Sequence, residues 1–256
     1  MVNIDNVYQK VLAIANKEQR GYITPQEFNL FADQVQLDIF EQYFYDINQW
    51  TRQHGNDHIY ADMLNNLNEK LSEFQRYDRT VNVISTTSNP NFDSWGDVNI
   101  GDQLSDIYKI GMVRIKYQTE PHSSLAEELS LNELNTYNVS PLTKSSKKRP
   151  FYVNYPLVSS GTRRIKIYPY PSSDNTIDRV RISYVRKPTT PNWGYVVVNN
   201  HAQYDGSNST DFELHSSEEG NLILKILQLA GLAMKDVSLY QVASQEEVKD
   251  IQQEKQ

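Results

Sequence analysis

The sequence predicts an α+β protein: a helical bundle, built from N-terminal helices plus one C-terminal helix, with an inserted, mostly antiparallel β-domain. Three observations lead there. Apolar residues recur every three or four positions through the first third. Alternation of period two dominates the middle. Helical spacing then returns after about residue 216. Helices, strands and helices in separate runs are an α+β pattern, since alternating strand and helix would signal a parallel sheet.

The elements follow in order. Ile4, Val7, Tyr8, Val11, Leu12, Ile14 and Ala15 make a first helix, with Asp5 in the N-cap place and Arg20-Gly21 at its end. Thr24-Pro25-Gln26-Glu27 reads as a helix start, with Pro25 in the first turn and Thr24 and Glu27 completing a capping box. The spacing of Phe28, Phe31, Ala32, Val35, Ile39, Phe40, Tyr43, Phe44 and Ile47 extends that helix to Arg52, and Gly55 breaks it. Met63, Leu64, Leu67, Leu71 and Phe74 form the face of a third helix. Strands are predicted at 80–85, at 107–117 as one or two strands, at 164–170 and at 179–186. Residues 125–137 read as a short helix or an extended loop, and 143–150 (TKSSKKRP) as an exposed loop. Ser216-Ser217-Glu218-Glu219 starts the last helix, whose face is Leu222, Ile223, Ile226, Leu227, Leu229 and Ala230. The predicted organisation is 1–79 and 211–243 for the bundle, 80–210 for the β-domain, and 244–256 for a polar tail ordered on a partner.

Composition narrows the function classes. The 256 residues are 38% hydrophobic, low for a folded chain, and include 17 tyrosines. With no cysteine there is no disulfide framework, thiol nucleophile or cysteine-held metal. No basic stretch precedes an apolar one at the start, so no signal peptide is expected. The most apolar window, 222–234, is too short and too interrupted to span a bilayer, so no membrane association is expected.

The net charge of −7 hides an asymmetry. Residues 141–190 hold eleven Lys and Arg against Asp174 and Asp178, about +9, which leaves about −16 for the rest. Three readings fit: solvated cations on an outer strand face, stacking of acidic on basic surfaces between copies, or a nucleic-acid-facing patch.

No phosphate-binding glycine loop, dinucleotide fingerprint or nucleophile elbow is present. His54 and His58 are four apart, but Gly-Asn-Asp between them is turn chemistry. Glu127-Glu128, Glu218-Glu219 and Glu246-Glu247 are adjacent pairs that do not converge on one helix face. The expectation is a chain that is not an enzyme, with no catalytic residues, cofactor or metal. Phe40, Tyr43, Phe44, Tyr45 and Trp50 read first as core or helix contact, and otherwise as a ligand pocket or stacking platform. Trp193 and Tyr195, in Pro191-Asn192-Trp193-Gly194-Tyr195, read as turn packing or a docking knob.

Three stretches carry a resemblance: Gly21-Tyr-Ile-Thr-Pro-Gln-Glu-Phe-Asn-Leu-Phe-Ala-Asp-Gln-Val-Gln; Pro188-Thr-Thr-Pro-Asn-Trp-Gly-Tyr; and Phe212-Glu-Leu-His-Ser-Ser-Glu-Glu with 223–231 and the Gln/Glu-rich tail. Together they resemble structural proteins of short-tailed, crAss-like or podovirus-type bacteriophages, especially head-to-tail adaptors related to tail tubular protein A. The resemblance implies a virion neck or tail protein, assembled in the host cytoplasm. It implies a dodecameric ring of this chain that connects portal to tail and extends the DNA channel. Its partners would be itself, the portal protein, neighbouring ring or tail proteins, and phage DNA in passage. Tyr240, Val248 and Ile251 are then expected at portal or neighbour contacts. Lys144, Lys147, Lys148, Arg149, Trp193 and Tyr195 are expected in docking loops. Alternatives are a tail-tube, stopper or tail-hub subunit, a receptor- or carbohydrate-binding tail protein and, third, a cell-wall hydrolase.

Overall fold

In the computed structural model the described residues are 1–16, 23–52, 58–82, 96–99, 104–155, 164–169, 177–199, 201–233, 241, 243–245 and 249. The chain is mixed α+β, with a curled, mostly antiparallel sheet. It divides into two units. One joins Met1–Glu73 to Pro188–Gln256, and the other is the insert Phe74–Lys187.

The first unit is helical. Its helices are α1 (Ile4–Asn16), α2 (Pro25–Arg52), α3 (His58–Ser72) and, from the other end of the chain, α5 (Glu219–Ala233). Asn3 caps α1 in place of the expected Asp5, its Oδ1 accepting from the Asn6 N–H at 3.0 Å. Asp211, far away in sequence, accepts from the Ile4 N–H at 2.9 Å. The capping box of α2 forms as predicted: the Glu27 N–H donates to Thr24 Oγ1, and the Thr24 N–H donates to Glu27 Oε2. The Glu27 carboxyl is held below its ordinary value by the Thr24 backbone and hydroxyl donors. α3 stops at Ser72, so Phe74 is not part of it; Phe74 opens the insert as a fully buried side chain. Leu222, Ile226, Leu227 and Ala230 of α5 are buried, and α5 packs against α1 and α2. Phe40 and Tyr43 lie in the core as expected, with Phe40 edge-on to Phe44. Gly55 and Gly21 lie outside the described residues.

The second unit is built on a sheet ordered β1 (Gln75–Val81), β7 (Ile177–Arg186), β3 (Ile107–Tyr117), β4 (Ser124–Glu128), β5 (Phe151–Tyr155), β6 (Arg164–Tyr168) and β2 (Gly96–Asn99). Every neighbouring pair is antiparallel except β4 and β5. The alternation in the sequence sets one face: Val113, Ile115, Tyr117, Ile165, Ile167, Val180, Ile182 and Tyr184 share one core. Residues 125–137 divide between β4 and the helix α4 (Leu131–Val139), which starts at a second capping box, Ser130 with Glu133. α4 covers the other face of β5 and β6 through Leu134 and Tyr137 against Phe151, Val153 and Tyr168.

The insert runs over Phe74–Lys187 where 80–210 is predicted, and a long-range contact marks each boundary. The strand expected at 80–85 begins earlier, with β1 paired Gln75 to Val185. The Arg186 N–H donates to the Phe74 carbonyl at 2.9 Å, so the first and last strands of the insert close on each other. After Lys187 the chain bonds to the helical unit, where Thr189 O accepts from Gln36 Nε2 at 2.8 Å. A hairpin of β8 (Tyr195–Val198) and β9 (His201–Tyr204), absent from the sequence reading, also belongs to that unit.

Candidate functional site

Two places bear on the predicted contacts, one in each unit. The first is the outer face of β3 and β7. Alternation that buries Val113, Ile115, Val180 and Ile182 forces Arg114, Lys116, Arg179 and Arg181 outward. Register places Arg114 directly across from Arg181 and Lys116 across from Arg179. Like charges in directly opposed positions repel. With the turn residue His122 these four cations line a cleft of about 260 Å³.

The counter-charges are few. Asp78 Oδ2 is 3.7 Å from Arg114 Nη1 and 3.9 Å from Arg181 Nη1, and Asp178 is 3.7 Å from Lys116. Such long, solvent-exposed pairs contribute little. Asp78 reaches the arginines because β1 bulges: its register slips between Arg76 and Arg79, and Asp78 takes φ 48°. The Asp78 N–H donates to Ser183 Oγ at 3.2 Å, which holds the bulge. β3 also slips opposite Ser183, at Gly111, where an added Cβ would sit 3.2 Å from the Ser183 carbonyl oxygen. Between the two slips lies a second cavity of about 530 Å³, lined by Tyr77, Met112 and Ser183 and sharing Arg114 with the cleft.

The second place surrounds Trp193. Contrary to the docking-knob expectation, this side chain is 2% exposed. Its ring packs on Tyr8, with centroids 4.1 Å apart, and on Tyr195 and Tyr204. The indole N–H donates to Asp5 Oδ1 at 3.0 Å, and the Trp193 backbone N–H donates to Asn29 Oδ1 at 2.8 Å. Burial of a large ring with every donor satisfied makes Trp193 an internal anchor. Gly194 follows because any Cβ there would fall 2.7 Å from the Asn208 backbone. Asp205 closes the turn with Ser207 and Asn208, whose donors pull its carboxyl below the ordinary range. Tyr195 is half-buried at the base of the hairpin, and the hairpin presents Val196, Val197 and Val198 to solvent.

The other predicted docking residues sit on the insert. Lys144 and Lys148 are exposed. Lys147 Nζ donates to Thr119 Oγ1 at 3.1 Å. Arg149 lies 3.5 Å from Glu127 and 5.4 Å over the Phe151 ring, which ties the loop to the sheet. Just before this loop, Val139 and Leu142 are 85% and 91% exposed. Tyr240, Val248 and Ile251 lie outside the described residues, as does His54. Among the described residues no cluster of three His, Asp or Glu side chains is placed to hold a metal, and no helix is long and apolar enough to cross a membrane.

The Arg114–Arg181 and Lys116–Arg179 oppositions depend on strand register, which alternation alone does not give. The signal available was the coincidence of two short alternating runs, 113–117 and 179–182, each with a basic residue at every second position.

No family model matches this chain, and no curated protein matches it.

Proposed function

We propose that this chain is a non-enzymatic structural subunit of a bacteriophage particle, forming a ring in the neck or tail that connects portal to tail. The carrying observation is the separation of charge between the two units. The insert Phe74–Lys187 holds 16 Lys and Arg against 11 Asp and Glu, a balance of +5. The helical unit holds 9 against 21, a balance of −12. A ring that closes by rotation needs two unlike, complementary faces on every copy. Opposite charge on two separately folded units supplies them and suppresses like-on-like contacts.

Apolar surface supports the same reading. Val139 and Leu142 stand exposed beside Lys144, Lys147, Lys148 and Arg149, a mixed apolar and basic patch suited to a neighbour's acidic helical unit. The helical unit has its own exposed apolar strip, Val196 to Val198. In this reading Trp193 acts indirectly, by fixing the base of that hairpin. Copies meet head to tail, the portal and adjoining tail rings meet the ends of the ring, and the protein resides in the virion after assembly in the host cytoplasm.

The test is quantitative mass spectrometry of purified particles, counting copies of this chain per portal. A ratio near one per portal subunit is expected. A ratio far below that points instead to a peripheral tail protein, and absence from the particle removes the reading.

A further inference from the structure

The outer sheet face of the insert has a feature beyond its share of that unit's net charge. Four cations are forced into opposed pairs by register, Arg114 with Arg181 and Lys116 with Arg179, and all four line one cleft. The arrangement is unfavourable for the sheet on its own. Arg179 has no acidic partner among the described residues, and the two acids present, Asp78 and Asp178, stand at 3.7 Å or more. Among the described residues this face sets four cations against two acids held only at long range, and an incoming anion supplies the balance. Several cationic donors lining one cleft suit phosphate groups, whose oxygens accept from guanidinium forks in a bidentate way.

The neighbouring cavity specifies the rest of the ligand. It shares Arg114 with the cleft and is lined by Arg76, Tyr77, Asp78 and Met112. Tyr77 is 70% exposed, and its hydroxyl donates to Gln75 Oε1. A tethered, exposed aromatic ring beside a cationic cleft is the pairing used to hold unstacked bases along a backbone. We infer that this face binds single-stranded nucleic acid, with backbone phosphates over Arg114, Lys116, Arg179 and Arg181 and a base against Tyr77. The inference does not depend on the ring reading, since the cleft lies within one chain.

The experiment uses the full chain and a fluorescein-labelled 20-nucleotide single strand of mixed sequence, read by anisotropy at 50 to 300 mM salt. Binding is expected, with a log–log salt slope of about −2, the value for roughly three neutralised phosphates on a single strand. Arg114→Glu/Arg181→Glu is expected to weaken it at least tenfold, and Tyr77→Ala about tenfold at unchanged salt slope. Lys109→Glu/Lys187→Glu, the same charge change at two exposed residues of the same unit outside the cleft, is expected to change it less than threefold. Circular dichroism checks each variant, and Arg114→Gln/Arg181→Gln replaces the double reversal if that variant does not fold. Equal loss in the cleft and control variants overturns the site, because general electrostatics would then explain the binding. So does no binding at 50 mM salt, or a duplex bound as tightly as the single strand. Competition by tripolyphosphate at equal phosphate concentration assigns the cleft to free polyphosphate and overturns the nucleic-acid ligand. Salt-sensitive self-association that the reversal abolishes, without oligonucleotide binding, assigns the face to a second copy and overturns it too.

Discussion

The two units handle polar groups in opposite ways. Around Trp193 in the helical unit, the polar groups close on each other: the indole N–H on Asp5, the backbone on Asn29, and Gln36 on both Thr189 and Glu213. Gln36 is fully buried, yet its amide both donates and accepts. On the outer face of the insert, register sets like charges against like and leaves the acids at a distance. A buried polar group must be satisfied inside the protein or it costs stability. An exposed cationic cluster carries no such constraint, because solvent or a ligand completes it. The first pattern belongs to a structural anchor and the second to a binding face.

The largest effect expected from breaking this contrast is at Trp193. Trp193→Ala removes a fully packed ring and its hydrogen bond, and costs about 3–5 kcal/mol. Urea unfolding followed by near-ultraviolet circular dichroism checks it. A loss under about 1 kcal/mol would mean that the turn is not an anchor. Gln36→Ala comes next, at about 2 kcal/mol, because it strands the Glu213 N–H and leaves the Thr189 carbonyl without its donor. A neutral result would show that water enters and replaces the amide.

The anchor and the cationic face differ in how far the sequence revealed them. α2 was legible to its ends because its start is local chemistry: Thr24, Pro25 and Glu27 are neighbours in sequence. The α1 cap is Asn3 and not Asp5, since Asp5 answers to Trp193 and Asn3 is supported by Asp211, a contact across more than two hundred residues. The end of the insert is set in the same way, as the hairpin after Gly194 is held to the helical unit by tertiary packing on Trp193. The cations of the outer face were visible as alternation, but their direct opposition required the register of β3 on β7. Local signals were readable, and long-range pairing was not.

The two capping boxes give a smaller, matched comparison, since each unit has one. Thr24→Ala and Ser130→Ala each remove an N-cap and cost about 1 kcal/mol. Glu27 and Glu133 add a pH dependence. Both carboxyls are held below the ordinary 4.5 by the backbone and hydroxyl donors of their caps. A folded-state value below the unfolded one means their contribution is complete above about pH 4.5 and is lost as pH falls through the folded value. Glu27→Gln and Glu133→Gln should therefore flatten the acid limb of a stability–pH curve while leaving its shape near neutrality unchanged. An unaltered acid limb in both variants would show that the caps are not formed in solution.

The smallest expected effect separates the units most sharply, because its sign reverses. Arg181 lies across from Arg114 on one side and Thr80 on the other. Arg181→Thr removes one cation of an opposed pair and creates a Thr–Thr pair, a favourable cross-strand combination. The partner it gives up is Asp78 at 3.9 Å, an exposed contact of little value. Stability should rise by about 0.2–0.5 kcal/mol, read as a higher midpoint in urea, while affinity for the single strand falls. In the helical unit no comparable truncation at Trp193 or Gln36 stabilises. A variant that bound less and was also less stable would show that Arg181 holds the sheet together through Asp78, and the cationic face would then be structural like the anchor.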